Sequence, residues 1–112
     1  MAAQTTVTKV TVSGTNVAHG VQSVGTTAAQ LTDKKLAEGN FKGILIKAPG
    51  PTDDTPNTNS IYVGGKTITA NQTGTGGFPL APGESISIPI ESAEFIYTIA
   101  TDTNQKANWI LL

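Results

Sequence analysis

Apolar and polar residues alternate most regularly over residues 84–90, where Ile86, Ile88 and Ile90 share one parity and Ser85, Ser87 and Pro89 the other. A period of two marks a strand with one buried face, and a proline within it restricts that strand to a sheet edge or a bulge. The stretch just before it, "GGFPLAPG", holds Pro79 and Pro82, which fix φ near −65° and lack an amide proton. Pro82-Gly83 suits the centre of a type II turn, so this lead-in is expected to reach the sheet from outside. "FKGILIKA", residues 41–48, alternates as well, with Ile44 and Ile46 on one face and Gly43, Leu45 and Lys47 on the other. Apolar residues on both faces predict a central strand.

The same reading runs through the rest of the chain. "TTVTKVTV", residues 5–12, is rich in β-branched residues and predicts a strand or an extended arm that pairs only with a partner. A further strand is expected over Val24–Leu31, followed by a polar turn region in "LTDKKLAEGN". "SIYVGG" reads as a short strand ending at Gly64-Gly65, with "KTIT" as a brief partner before the glycine-rich "NQTGTGG". "EFIYTIA", residues 94–100, is expected to pair antiparallel with 84–90 through a turn at 91–93, and "QKANWILL" is the last strand. Residues 48–60, "APGPTDDTPNTNS", are turn chemistry throughout and predict the longest exposed loop.

Only Ala28–Ala37 has a helix-compatible composition, and it lacks an apolar stripe at 3.6 spacing. Short strands spaced by turn signals predict an all-β protein: a small antiparallel sandwich, jelly-roll-like, with an extended N-terminal arm. Residues 1–23 are the arm or an edge strand and residues 24–112 the sandwich. At 112 residues one domain fits. Charged residues make up 13% of the chain and nearly balance, seven basic against eight acidic. Such a surface gives nucleic acid nothing to attract it, while its abundant hydroxyl and amide groups bind protein neighbours without the desolvation cost of buried charge. Cysteine is absent, so packing or assembly must supply what disulfides cannot.

No apolar run is long enough to span a bilayer, and no signal-peptide pattern opens the chain; production in the cytoplasm is the expectation. The Asn71-Gln72-Thr73 glycosylation pattern is then read as a chance match.

His19, flanked by Ala18 and Gly20, is the sole histidine and has no evident nucleophile or base partner. Asp53, Asp54, Glu84, Glu91 and Glu94 all lie in or beside expected turns, where acidic residues occur without any catalytic role. Asp53-Asp54 with Asn57 and Asn59 offers oxygen ligands of the kind calcium takes, but the EF-hand spacing is absent. Gly74, Gly76 and Gly77 lack the Lys-Ser/Thr pair of a phosphate loop. No catalytic residue, metal or cofactor is expected, and Phe41, Tyr62, Phe95, Tyr97 and Trp109 are read as core or rim packing.

The succession "FKGILIKAPG", "NSIYVGG", "GFPLAPGESISIPI" and "EFIYTIATDTNQKANWILL" resembles small β-domains among the virion structural proteins of tailed bacteriophages. The resemblance covers residues 24–112 and implies a capsid decoration, or cement, protein that binds the outer surface of the head shell. It implies as partners the major capsid protein and the chain itself as a homotrimer, and as location the capsid surface of the virion. It also implies an N-terminal segment extended across the shell. Thr6, Val7, Thr8, Val10 and Val12 are the candidate capsid-binding residues on this reading, adding a strand to an exposed lattice edge. A tail- or fibre-associated role and a carbohydrate-binding attachment module are the alternatives. The exposure of Tyr62, Tyr97 and Trp109 tests the carbohydrate alternative.

Overall fold

The computed structural model describes residues 17–33, 41–90 and 92–112; the candidate capsid-binding residues Thr6 to Val12 lie outside these. Among the described residues eight strands follow one another: β1 (His19–Val24), β2 (Ala29–Gln30), β3 (Ile44–Lys47), β4 (Ile61–Gly64), β5 (Phe78–Leu80), β6 (Ser85–Ile88), β7 (Tyr97–Ala100) and β8 (Gln105–Leu111). They form two four-stranded sheets, ordered β1-β8-β3-β6 and β2-β7-β4-β5, with every pairing antiparallel. The chain therefore pairs as a nested hairpin, β1 with β8, β2 with β7, β3 with β6 and β4 with β5. That hairpin is rolled into two layers, which is the jelly-roll arrangement of an eight-stranded sandwich.

Alternation along each strand places the core between the layers. In β3 Ile44 and Ile46 are fully buried, opposite Leu111 and Trp109 of β8 on one side and Ile88 and Ile86 of β6 on the other. The facing layer contributes Ile61 and Val63 from β4, Leu80 from β5, and Thr98 and Ala100 from β7. β3 is a central strand, as the apolar residues on both its faces predict, and β6 is an edge strand, in keeping with Pro89 just beyond it. Gly83 has φ +96° and the Glu84 amide donates to the Ala81 carbonyl at 2.9 Å, so Pro82-Gly83 does occupy the centre of a type II turn.

Several sequence expectations are corrected. Residues 19–24 are themselves strand β1 at an edge of the first sheet, so the expected strand from Val24 to Leu31 splits. Val24 ends β1, the chain crosses between layers at Gly25–Ala28, and Ala29–Gln30 opens the second sheet. Phe78–Leu80 is a strand despite Pro79, because at the edge of the second sheet a missing donor costs no ladder bond. The segment 94–100 does not pair with 84–90: β6 pairs with β3 and β7 with β4 and β2, the connection crossing between layers through a short 3-10 turn at Ala93–Phe95. "KTIT" forms no strand, contributing a single bridge from Thr69 to Gly76.

Candidate interaction surface

The two flanks of the sandwich are built differently. On the β1/β2 flank, Gln22 of β1 points inward and its Nε2 donates to the carbonyls of Ala29 and Gln30 at 3.2 and 2.9 Å. Its Oε1 accepts from the hydroxyl of Thr98 on β7. The Ala100 amide donates to the Gly25 carbonyl at 2.8 Å, and Leu31 to the Ile96 carbonyl at 2.8 Å. These bonds tie the layers together where the chain passes from one to the other. Among the described residues no buried side-chain nitrogen or oxygen is left without a partner, as a closed polar flank requires.

Among the described residues no comparable set of side-chain bonds spans the β5/β6 flank. A cavity of about 330 Å³ opens there between the layers, lined by Val63, Gly64, Gly65, Phe78, Ile86, Ile88, Ile90, Phe95 and Ile96. Period-two alternation turns the three isoleucines into it and leaves Ser85 and Ser87 on the outer face. Phe78 and Phe95 stand on its rim, 58% and 65% exposed. Among the described residues the β5 and β6 edges beside it have no strand beyond them. A second, shallower recess of about 530 Å³ is shaped by the loop from Gln72 to Pro79, where the Thr73 amide donates to Asn71 Oδ1 at 3.0 Å and the Gly76 amide to the Thr73 carbonyl at 2.8 Å. Those bonds turn the glycine-rich stretch into a closed loop.

Candidate residues for chemistry are dispersed. His19 lies on the outer face of β1 opposite Ile110, exposed. Asp53 Oδ2 accepts from the Gly50 amide at 2.7 Å and lies 3.1 Å from Lys47 Nζ, which together lower its pKa below the usual carboxylate value. Asn57 is buried and uses its whole amide on β8, donating to the Lys106 carbonyl at 2.9 Å and accepting from the Lys106 amide at 2.7 Å. Gln105 is buried beside it, its Oε1 accepting from the amides of Thr58 and Asn59, both at 2.9 Å. The 48–60 loop is thus stitched to β3 through Asp53 and to β8 through Asn57, both read from sequence as possible ligands, and by Gln105 of β8. Glu84 Oε1 accepts from the Ala81 amide at 2.8 Å and closes the type II turn, while Glu91 lies outside the described residues. Among the described residues no three His, Cys, Asp or Glu side chains gather as a metal site would need.

Trp109 and Phe41 are buried. Tyr62 and Tyr97 share the outer face of the second sheet, opposite Ile99 and Gly64 respectively, and both are half-buried. The three polar-tipped aromatics therefore do not form one exposed platform. Phe95, read from sequence as core or rim packing, stands on the rim of the apolar groove, and Phe78 joins it there. The alternation of Ile86, Ile88 and Ile90 signalled an inward face; that the face lies at an open flank depends on strand order. Comparison of the chain with protein-family models, curated proteins and solved structures found no match.

Proposed function

We propose that this chain is a non-enzymatic structural protein of a tailed-bacteriophage virion, a capsid decoration protein that binds the outer surface of the head shell and stabilises it. The observation that carries the reading is the β5/β6 flank: two strand edges with no further strand among the described residues, beside a groove lined by apolar side chains and rimmed by exposed phenylalanines, in a chain with little charge. Free edges and exposed apolar patches are the features by which β-proteins take protein neighbours. Double-sheet jelly rolls recur among capsid and lectin domains, which supports the reading at the level of fold analogy.

On this reading the partners are the major capsid protein and two further copies of the chain in a homotrimer, and the protein, made in the host cytoplasm, resides on the capsid surface. No nucleic acid, membrane or cofactor takes part. Thr6, Val7, Thr8, Val10 and Val12 add a strand to the lattice, and three linked copies multiply a weak single contact by avidity. The test compares particles assembled with the whole chain and with residues 2–14 removed, reading occupancy by mass and by electron microscopy. Occupancy is expected to fall at least tenfold on deletion, and full occupancy without the segment overturns the reading.

A further inference from the structure

We propose that the β6 edge takes the β6 edge of a second copy of this chain, antiparallel about a two-fold axis, so that the two first sheets run on as one. The backbone already presents the groups for it. The Ala48 amide donates to the Glu84 carbonyl at 2.9 Å, and the register pairs Ile46 with Ile86 and Ile44 with Ile88. Bonded positions alternate along an antiparallel pair, so Glu84, Ile86 and Ile88 turn their backbone groups to β3, while Ser85 and Ser87 turn theirs to the open edge. That edge lacks the features that blunt two of the others: β5 holds Pro79 and β2 is two residues long, whereas Ser85–Ile88 has neither proline nor charge.

A second copy is the occupant these residues fit. An edge without charge meets its own copy without repulsion, and the nearest carboxylate, Glu84, is turned back on the Ala81 amide. With Ser87 on the axis, each Ser87 amide reaches the Ser87 carbonyl of the other copy, and Ile86 falls opposite Ile88 on the inner face. Serine thus meets serine, and isoleucine meets isoleucine. The same approach brings the two apolar grooves together, where Phe78 and Phe95 are 58% and 65% exposed. At about 200 Å² for a whole phenylalanine side chain, these two offer about 250 Å² per copy, roughly a third of the ~800 Å² that a standard interface takes from each partner. The half-buried Ile86, Ile88 and Ile90 add to it. A two-fold contact cannot close a trimer, so it joins copies of neighbouring trimers and is separate from the threefold contact of the proposed function.

The test is the mass of the full-length protein by sedimentation equilibrium at submillimolar concentration. Ser87 is exposed, so Ser87→Lys leaves the fold intact while setting two like charges opposite each other across the axis. It should halve the mass of the parent with circular dichroism and melting unchanged. Ser87→Pro removes only an outward amide and should halve it too. Val21→Lys, at the far edge of the same sheet where Val21 is 63% exposed, should keep the parent mass. A monomeric parent, or parent mass in both Ser87 variants, overturns the proposal. So does a fall to one third, which would put the edge in a threefold contact. Hydrogen exchange reads the parent itself: the Ser87 amide should exchange about tenfold more slowly at high protein concentration than after dilution, with a smaller change at Ile86, whose amide is already bonded to β3. Ser87 exchange that ignores dilution overturns the proposal, and if it speeds only on removal of residues 2–14 the occupant is the chain's own segment. The contact is independent of shell binding, which particle occupancy reads.

Discussion

Gly20 and Trp109 face each other in the β1–β8 ladder, and a Cβ built on Gly20 would stand 2.7 Å from the indole ring. The glycine is therefore a space the tryptophan fills. Gly20→Ala should force the ring aside at an overpacking cost of about 1–3 kcal/mol, seen as a lower urea midpoint with a shifted tryptophan emission; an unchanged midpoint would show that the ring has room to move. Asp53 is a different case because its effect depends on pH. The Gly50 amide and then Lys47 favour its ionised form in the folded protein and lower its pKa. Its contribution is therefore complete above the ordinary carboxylate pKa and is lost as pH falls through that value to the lower folded one. Asp53→Asn should destabilise the protein at neutral pH and match the parent in strong acid, as urea midpoints at the two pH values will show. A gap that persists undiminished in acid would mean that charge is not what Asp53 supplies.

The last strand has the most to hold. β8 lies between β1 and β3, with Trp109 and Leu111 directed into the core. Removing residues 109–112 deletes two buried side chains worth about 2–5 kcal/mol each, together with ladder bonds on both sides, against a total stability of about 5–15 kcal/mol. Soluble folding should be abolished; a truncated chain with a native circular dichroism spectrum and a cooperative melt would contradict this. Strands of this kind were legible from sequence because period-two alternation is local: Ile44 and Ile46, the isoleucines of β6, and Pro82-Gly83 all behave as their spacing predicts. What was not legible is partnership. Residues 94–100 follow 84–90 closely and invite a hairpin, yet the jelly roll sends them to opposite layers. Pro79 reads as a strand breaker until the strand is known to be an edge. Asn57 looks like loop polarity in sequence and Gln105 like the polar start of a strand, and only their pairing across the loop and β8 shows that they serve as backbone surrogates. The groove was hidden for the same reason, since an inward face becomes an open one only through strand order.

At the scale of the whole molecule the nested pairing fixes an order of assembly. The β4–β5 pair closes the shortest stretch of chain, whereas His19 meets Ile110 across nearly the full described length. Loop-closure entropy grows with the length enclosed, so β4 and β5 are expected to pair early and β1 to join β8 last. Folding of such a non-local β topology falls in the millisecond-to-second range. Gly20→Ala acts on the last pair, and in the natural order it should accelerate unfolding while leaving the folding rate nearly unchanged. A circular permutant of residues 17–112 that joins Leu112 to Val17 by a short linker and opens at the exposed Gly74 reverses the nesting. β8 and β1 then form the innermost hairpin and β4–β5 the outermost pair. The join is short because the Leu111 amide already bonds the Ala18 carbonyl at 2.9 Å. In the permutant the same substitution should slow folding instead, a reversal that stopped-flow tryptophan fluorescence can read directly. If Gly20→Ala slows folding equally in both orders, the β1–β8 pair is part of the nucleus whatever loop it closes. The polar flank clamped by Gln22 would then form before the apolar one, rather than being the last part of the sandwich to close.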